Sequence, residues 1–300
     1  MCNGFMMIGQ FLDYLHHERN RSEQTVQSYE KDLRFFESYY KRLDSHLSWD
    51  SVDADIIRGW MESMMDKGNT ATSINRRLSA LRSFFRFALC RGLVSRDPAH
   101  AVKGPKKSKP LPQFLKESEM DELLDGDGMW RDDIFDDVRA RTILVTFYAT
   151  GMRLSELTGL DVASVDFVNK QVKVSGKGNK QRLIPFGEEL ETELRHYICM
   201  CDSLFGGGAG ALFVTDKGTR MTQAQVRNVV KKNLSRVSTL KKRTPHVLRH
   251  TFATAMLNNG SGLESVKKLL GHESLKTTEV YTHATFEQLK RVYKQAHPRA

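Results

Sequence analysis

The sequence predicts a mainly α-helical fold with a small antiparallel β-sheet, arranged as an N-terminal helical bundle followed by an α+β domain. Two observations predict this fold class. Apolar residues recur at helical spacing through the first 92 residues, and short strand-like segments joined by tight turns occur in the second half. The length of 300 residues is enough for two domains of ordinary size.

Four short helices are expected between residues 5 and 92, each with an apolar stripe along one face. Polar breaks at residues 20–22, 44–46 and 68–70 separate them. Packing the four stripes against one another gives a small helical bundle. The stripes are Ile8, Phe11, Leu12 and Leu15; Val26, Tyr29, Leu33, Phe36 and Tyr40; Ile57, Trp60, Met61 and Met64; and Ile74, Leu78, Leu81, Phe85 and Leu89.

A change in composition marks the boundary between the two domains. Four of the seven prolines lie between Ser95 and Gln113, and Lys103, Lys106 and Lys107 share this stretch. A proline-rich basic segment is stiff and extended, which is typical of a linker. We therefore expect a helical domain over residues 1–95, a basic linker over 96–113 and a second domain over 114–300.

The second domain mixes helices and strands. Helices are predicted at 117–124 and 136–149, the latter strongly apolar. Three short strands, joined by tight turns, follow at residues 165–168, 171–175 and 182–186. After a glycine-rich loop at 206–208, the chain is expected to be helical to its end.

The charge balance favours a polyanionic partner. Lys and Arg number 46 against 36 Asp and Glu, a net charge of +10, and the pI is about 9.4. Such an excess suits nucleic acid or an anionic membrane surface without choosing between them. The fourth predicted helix carries basic residues at helical spacing on its outer face, and either a phosphate-facing stripe or an ordinary solvated face fits them. Together with the linker, the candidates for DNA binding are Arg76, Arg77, Arg82, Arg86, Lys103, Lys106 and Lys107.

The N-terminal residues and the cysteines indicate a soluble, cytoplasmic protein with no membrane partner. The first eight residues have no early positive charge and too short an apolar run for a secretory signal. The longest apolar stretch, near residues 143–152, is about half the ~20 residues that a membrane helix needs. The four cysteines are spaced for free thiols in a reducing compartment rather than for a disulfide framework.

The segment from Thr244 to His250 gives the sharpest chemical signal. Thr244 is a good N-cap and Pro245 fits the first helical position, so a helix is expected to begin here. His246 and Arg249 then lie one turn apart at a helix N-terminus, where backbone N–H groups and the helix dipole favour an anion. A zinc site at His246 and His250 is disfavoured because the intervening glutamate of the hydrolase motif is absent.

Four further residues of possible chemical use are each, taken alone, compatible with a structural role. Arg153 opens a helix with Glu156 at i+3, where the carboxylate can hold the guanidinium. Lys177 stands between two glycines in a predicted hairpin turn. His272 follows a helix-ending glycine, and Tyr281 lies nine residues further on in an amphipathic segment.

The candidate residues follow a fixed order along the chain: an arginine, a hairpin lysine, a His-x-x-Arg motif, a Gly-His pair and a tyrosine. This order resembles the active site of the tyrosine recombinase (phage integrase) family, above all its Xer branch. The helical first domain is similar in size and layout to that family's SAM-like core-binding domain. The second domain resembles the family's catalytic domain. The matching segments of that domain are 150–157, 176–180, 245–254, 269–272, 277–283 and the final residues 292–300.

The resemblance implies a reaction. Tyr281 is the nucleophile, which attacks a DNA phosphodiester to leave a 3′-phosphotyrosyl link and a free 5′-hydroxyl. A tyrosine with an ordinary pKa of about 10 needs a base or a positive surrounding, and His246 or His272 can serve as that base. Lys177 is the candidate general acid for the departing 5′-oxygen.

The two arginines complete the implied site. Arg153 and Arg249 neutralise the charge that develops on the non-bridging oxygens. Four basic groups aimed at one phosphate make a metal unnecessary, and the covalent link conserves the bond energy, so that neither a metal nor a cofactor is expected.

The implied partner is a double-stranded DNA recombination site, on which a tetramer of this chain or of this chain and a paralogue exchanges strands through a Holliday junction. Resolution of chromosome or plasmid dimers is the expected role, with a septal DNA translocase as a further partner. An integrase or transposase of a mobile element, a type IB topoisomerase and a non-catalytic DNA-binding protein are the alternatives. Phe286, Leu289 and Val292 give the last helix an apolar stripe that fits either a neighbouring protomer or its own domain.

Overall fold

The computed structural model describes residues 3–107, 113–176, 181–207, 210–271 and 283–300. The chain divides into two compact units, Met1–Pro110 and Leu111–Ala300. The mainly helical fold class with one small antiparallel sheet is confirmed. Within the described ranges, no helix combines the length and the apolar character that a membrane span requires.

The first unit is a helical bundle, as predicted. Its helices are α1 (Asn3–Asp13), α2 (Glu23–Leu43), α3 (Ala54–Asp66) and α4 (Ala71–Cys90), with one π-helical turn at Tyr14–Glu18. The chain breaks expected from the sequence correspond to the ends of these helices. Asp53 and Thr70 cap α3 and α4, since each side chain accepts a hydrogen bond from a backbone N–H of the first turn.

An aromatic cluster forms the core of the first unit. Trp49 packs against Phe36 and Phe84, with ring centroids 5.7 and 4.4 Å apart. The predicted stripe of α4 is wrong at its last member, because Leu89 is 43% exposed. Phe84 and Phe87 are buried instead, since α4 lies among α1, α2 and α3 and buries more than one narrow stripe.

The first part of the predicted linker packs onto the first unit. Ala99 and Val102 are buried in its core. Arg82 of α4 donates hydrogen bonds to both of their carbonyls, and Asn75 donates to the carbonyl of Pro105. Residues 99–105 are therefore held against α4 rather than running free.

The second unit contains eight α-helices, one 3₁₀ turn at Val162–Ser164 and a three-stranded sheet among the described residues. Its helices are α5 (Glu117–Asp125), α6 (Phe135–Thr150), α7 (Leu154–Thr158), α8 (Glu188–Phe205), α9 (Gln223–Val237), α10 (Pro245–Asn258), α11 (Leu263–Leu270) and α12 (His283–Ala296). The strands are β1 (Val165–Asp166), β2 (Gln171–Ser175) and β3 (Gln181–Pro185).

Helix α6 is the centre of this unit and packs against α8, α9 and α10. The hydroxyls of Thr142, Thr146 and Thr150 are buried, and each donates to the carbonyl four residues earlier, so that these polar groups are satisfied within the helix. Gly151 ends the helix with a φ of +57°. A Cβ at this position would lie 2.4 Å from Phe252, so that only glycine fits the turn that leads into α7.

The sheet has the order β1-β2-β3 with antiparallel pairing throughout. Val172 pairs with Ile184, and both are buried on the face toward the core. The first strand is shorter than the predicted 165–168, because the carboxylate of Asp166 accepts the Asn169 N–H at 2.9 Å and starts the turn early. Val168 is consequently 92% exposed.

The C-terminal segment packs on its own unit. Helix α12 contacts α10, α11 and β3, and it buries Leu289 and Tyr293. His297 is buried, with its ring stacked on that of Tyr293 at 5.0 Å. Arg299 then pairs with three carboxylates, those of Asp121, Asp125 and Glu189. In the single chain, Leu289 and Val292 of the predicted apolar stripe thus lie against their own domain, which is one of the two expected arrangements, whereas the side chain of Phe286 lies outside the described residues.

Candidate active site

Three of the six candidate catalytic residues lie in the described part of the second unit. Arg153 is the N-cap of α7, and His246 and Arg249 belong to the first turns of α10. Lys177, His272 and Tyr281 lie outside the described residues.

Three arginines donate hydrogen bonds to backbone carbonyls at the C-terminal end of α11. The helix ends at Gly271, which has a φ of +65° and leaves the last carbonyls without partners inside the helix. Each of these carbonyls accepts a hydrogen bond from a different guanidinium. Nε of Arg182 donates to Leu269 at 3.1 Å, Nη2 of Arg249 to Leu270 at 2.6 Å, and Nη2 of Arg153 to Gly271 at 2.9 Å. The negative end of the helix dipole favours positive charge at this place.

Arg249 is buried at the centre of this group. It is 8% exposed, and its Nη1 also donates to the carbonyl of Gly151 at 2.7 Å. Burial, followed by the charge of Arg153, lowers the pKa of the Arg249 guanidinium to about 10. An anion bound beside this guanidinium would stabilise its charged form, so that the position is suited to an anionic ligand.

Glu156 is the carboxylate that lies between two of the arginines. Its Oε1 accepts from Nη1 of Arg182 at 2.6 Å and Nη1 of Arg153 at 2.9 Å, and its Oε2 accepts from Nη2 of Arg182 at 2.9 Å and the backbone N of Arg153 at 2.6 Å. Burial alone would raise the pKa of Glu156, but the hydrogen bonds and charges of Arg182 and Arg153 lower it overall. The expected pairing of Glu156 with Arg153 is confirmed.

The charge count of this cluster is uneven. Among the residues that the structure describes, the guanidiniums of Arg153, Arg182 and Arg249 lie around one carboxylate, that of Glu156, a formal excess of two positive charges. Arg153 is the most accessible of the three, with 37% of its side chain exposed. The cluster is therefore suited to an anionic ligand, and Arg153 is its most accessible donor.

His246 stands at the first turn of α10, beside the cluster. Pro245 occupies the first turn as predicted, whereas Thr244 is the N-cap by backbone conformation only, since its side chain makes no capping bond. Desolvation lowers the pKa of His246 below its ordinary value of 6.5. Four basic neighbours lower it further, namely Arg249, His250, Arg153 and Arg227. The imidazole is neutral at pH 7 and can accept a proton or a hydrogen bond.

Sequence reasoning missed Arg182. A signal was present, because alternation along β3 places Arg182 on the same buried face as Ile184. An arginine that points into a core needs a buried partner. The identity of that partner could not be predicted, because Glu156 and Leu269 lie 26 and 87 residues away along the chain.

A second basic surface was also missed. Between Gln223 and Thr244, seven lysines and arginines occur without a single acidic residue. Arg236 stacks on Trp130 with its guanidinium 5.6 Å from the ring centroid, and Arg227 is close enough to lower the pKa of His246. The exposed members of this α9 basic surface are Arg227, Lys231, Lys232, Arg236, Lys241 and Lys242.

Three of the DNA-binding candidates of the first unit, Arg76, Arg77 and Arg82, have partners within the protein that could not be predicted from the sequence. Arg76 forms an ion pair with the buried Asp32 of α2, and Arg77 lies 3.7 Å from the same carboxylate. Burial raises the pKa of Asp32, although both arginines oppose this shift. Arg82 is tied to the carbonyls that follow α4. The exposed candidates are Arg76, Arg86, Lys103, Lys106 and Lys107.

Comparisons with known proteins place the chain in a family. The phage integrase family model matches residues 113–288, and the model of the phage integrase N-terminal SAM-like domain matches residues 8–92. The tyrosine recombinase XerC of Chlorobaculum tepidum is 38% identical over 98% of this chain and 94% of its own length. The tyrosine recombinase XerD of Oceanobacillus iheyensis is 36% identical over 98% of both chains.

Solved structures share the fold. The XerH recombinase bound to its difH substrate has a TM-score of 0.68 at 23% identity, covering 95% of this chain and 83% of its own. A lambda integrase dimer bound to a COC′ core site has a TM-score of 0.69 at 17% identity, covering 90% and 95%. The match of both family models and of near full-length relatives agrees with the arginine cluster, and the chain belongs to the phage integrase family of tyrosine recombinases.

Proposed function

We propose that this chain is a site-specific DNA recombinase and that Arg153, His246 and Arg249 form its active site together with Lys177, His272 and Tyr281. The observation that carries the proposal is the cluster of three guanidiniums, of Arg153, Arg182 and Arg249, at the C-terminal end of α11. A phosphodiester is anionic and gains further negative charge on its non-bridging oxygens in the transition state. Fixed guanidiniums in a desolvated site stabilise that charge most strongly.

Tyr281 attacks the phosphorus and forms a phosphorus–oxygen bond to the DNA 3′ end, while the bond to the 5′-oxygen of the next nucleotide breaks. The tyrosine proton passes to a base, and His246, which is neutral at pH 7, suits this role. His272 is the second candidate for it. Lys177 donates a proton to the departing 5′-oxygen, which leaves as a hydroxyl.

Rejoining runs the same chemistry in reverse on a different strand. The 5′-hydroxyl of the partner duplex attacks the 3′-phosphotyrosyl bond, and Tyr281 leaves. The number of phosphodiester bonds is unchanged, so that the exchange needs no ATP. Two rounds on two cytoplasmic DNA sites pass through a Holliday junction, which requires four protomers, either four of this chain or two of this chain and two of a paralogue.

Two basic surfaces are available to hold the duplex. Exposed residues of α4 and the following segment, among them Arg86 and Lys106, lie on the first unit. The α9 basic surface lies on the second unit, and Arg227 links it to His246. Phosphate contacts of this kind give affinity without sequence preference and weaken as salt rises.

Resolution of chromosome or plasmid dimers is the role that the relatives favour, because full-length XerC and XerD proteins are 36–38% identical to this chain. A septal DNA translocase would then regulate the reaction. A plasmid with two directly repeated copies of the site separates this role from that of a mobile-element integrase. Resolution of the plasmid supports dimer resolution, whereas joining of the site only to a dissimilar target supports integration.

A nicked suicide substrate tests the chemistry. The site is first found by mapping the chromosomal fragments that the protein binds, and a nick beside the scissile phosphate then lets the released strand diffuse away. The wild type is expected to form a covalent adduct on a denaturing gel, and Tyr281→Phe is expected to form none. An adduct that persists in Tyr281→Phe, or its absence in the wild type on a bound site, contradicts the proposal.

A further inference from the structure

Arg182 is a buried arginine on a strand, which is an expensive arrangement. It lies in β3 at 8% exposure, on the face shared with Ile184. Transfer of a guanidinium out of water costs several kcal/mol unless its donors are satisfied with good geometry. The burial of Arg182 is therefore tolerated only if its partners satisfy the guanidinium donors.

Those contacts all lie within the protein. Nη1 and Nη2 bond to the two oxygens of Glu156 at 2.6 and 2.9 Å, and Nε bonds to the carbonyl of Leu269 at 3.1 Å. All three guanidinium nitrogens are engaged, and the pair with Glu156 is bidentate. Each of these hydrogen bonds is to a protein group, and Glu156 and Leu269 are the partners through which Arg182 can influence the site.

The first partner connects Arg182 to Arg153. Each oxygen of Glu156 accepts one bond from Arg182 and one from Arg153, with the Arg153 bonds at 2.9 Å to Nη1 and 2.6 Å to the backbone N. Among the described residues, Arg153 is the ion-pair partner that the buried Glu156 carboxylate would keep if Arg182 were lost. The attraction between the two would then hold the Arg153 charge to Glu156 rather than leave it to a phosphate.

The second partner connects Arg182 to the backbone that precedes His272. Leu269 is one residue before the carbonyl that binds Arg249 and two before the one that binds Arg153. The side chain of Arg182 also lies against Gly271, where a Cβ would come within 3.1 Å of Nη1. One side chain therefore fixes the start of α7 and the end of α11 relative to β3.

We propose that Arg182 is a positioning residue for the reaction: through Glu156 it keeps the Arg153 guanidinium oriented and its charge available to the scissile phosphate. The inference rests on the proposed function of Arg153. The bidentate pair between Arg182 and Glu156 balances the charge of that carboxylate, so that the charge of Arg153 is less strongly held by Glu156.

The test compares two substrates that differ in one atom group. A methylphosphonate at the scissile position replaces a charged non-bridging oxygen by a neutral methyl group, so that less charge remains for Arg153 to neutralise. Arg182→Met keeps the length of the side chain and removes its charge and fork. Arg195→Met is the matched control, since Arg195 is an exposed arginine of the same unit that pairs with Glu191.

The measured quantity is the single-turnover rate of covalent adduct formation at saturating DNA. Arg182→Met is expected to slow the reaction about 100-fold on the phosphodiester. The defect is expected to shrink to about 10-fold on the methylphosphonate, because the misdirected charge matters less there. Arg182→Lys, which keeps the charge without the fork, is expected to be slowed about 10-fold on the phosphodiester. Arg195→Met is expected to match the wild type on both substrates.

An equal defect of Arg182→Met on both substrates, or no defect, overturns the proposal, since a role in folding alone slows both substrates alike. If Arg182→Met does not fold, as judged by circular dichroism, Arg182→Lys decides by the same comparison. Arg153→Ala is measured in parallel. If Arg153→Ala has no larger defect on the phosphodiester than on the methylphosphonate, the proposed function of Arg153 fails, whereas failure of the Arg182 variants alone removes only the positioning role.

Discussion

An arginine that is 8% exposed lies at each end of α6, and the two arginines differ in how their charges are balanced. At the N-terminal end, Arg139 pairs with Asp136 and with Asp216 at 2.6 Å. At the C-terminal end, Arg249 donates to the carbonyls of Gly151 and Leu270. The carboxylate of that region, Glu156, is shared by two further arginines.

Burial alone does not distinguish an arginine that stabilises the fold from one that takes part in the reaction. Asp136 and Asp216 both pair with Arg139, so that its charge is balanced within the protein. We therefore assign Arg139 a role in stabilising the fold. Burial, followed by the charge of Arg153, lowers the pKa of Arg249 to about 10, so that an anion bound beside it is favourable.

Arg249→Met is expected to slow adduct formation about 1,000-fold at saturating DNA, because a buried donor to the developing charge is lost. Its effect on the free energy of unfolding is expected to stay within about 1 kcal/mol, since lost hydrogen bonds to two carbonyls are offset by relief of repulsion with Arg153. Single-turnover kinetics and urea unfolding measure the two effects. A large loss of stability with unchanged chemistry would reverse the assignment.

Glu156→Gln is expected to destabilise the second unit by about 3 kcal/mol at pH 7, because it leaves buried guanidiniums without their carboxylate. The lowered pKa of Glu156 means that its stabilising effect is complete above its ordinary pKa of 4.5 and is lost as pH falls through the folded-state value. The difference from the wild type should therefore narrow only below pH 4.5.

Urea unfolding at several pH values, with hydrogen exchange to follow the second unit by itself, measures this effect. Asp216→Asn is the control at the other end of α6. Asp216 is 73% exposed, and its loss is expected to cost about 0.5 kcal/mol. Equal costs for the two substitutions would contradict the account.

Arg139→Met should show the pattern opposite to that of Arg249→Met. We expect a destabilisation of about 2 kcal/mol, less than the cost of breaking a fully buried pair because Asp136 and Asp216 are themselves exposed. At a temperature where the variant is folded, its rate of adduct formation should equal that of the wild type. A slowed chemical step in folded protein would show that the two ends of α6 are coupled.

Gly271→Ala tests the contact between Arg182 and the end of α11. Gly271 and Gly206 both end helices with positive φ, but a Cβ at Gly271 meets Arg182, whereas at Gly206 nothing lies within 4 Å. Each alanine is expected to cost about 1 kcal/mol for its backbone conformation. Only Gly271→Ala should also slow adduct formation, by about 10-fold. Equal rates in the two variants would show that this contact does not matter for the chemistry.

The smallest expected effect concerns pH. Because the pKa of His246 lies below 6.5, the imidazole is neutral over the physiological range, and activity should fall only as pH drops below 6.5. Rates of adduct formation at subsaturating DNA report this group in the free enzyme. His196→Gln, at an exposed histidine of α8, should leave the profile unchanged. An acid limb centred at or above pH 6.5 would contradict the assignment of His246 as base.

Much of this fold could be predicted from local patterns. Helix α10 begins at Pro245 as the Thr-Pro signal indicates, and α11 ends at Gly271, the glycine predicted before His272, because caps and positive φ are encoded within a few residues. Strand β1 was overestimated, since the Asp166–Asn169 hydrogen bond competes with the ladder.

The site could be predicted only in part. The pairing of Arg153 with Glu156 followed from their i,i+3 spacing. The partners of Arg182 and of Arg76 could not be predicted, because Glu156 and Asp32 reach them only through tertiary packing. Long-range ion pairs leave no periodic signal in a sequence, whereas caps and apolar stripes do.

The charge of the scissile phosphate gives the most direct test of the central claim, that the arginines at the end of α11 serve to neutralise it. The measurement is the rate of adduct formation by the wild type and by Arg249→Met on a phosphodiester and on a methylphosphonate. We expect the 1,000-fold defect of Arg249→Met on the charged substrate to be smaller on the neutral one by a factor of at least about 30. An equal defect on both substrates would contradict it.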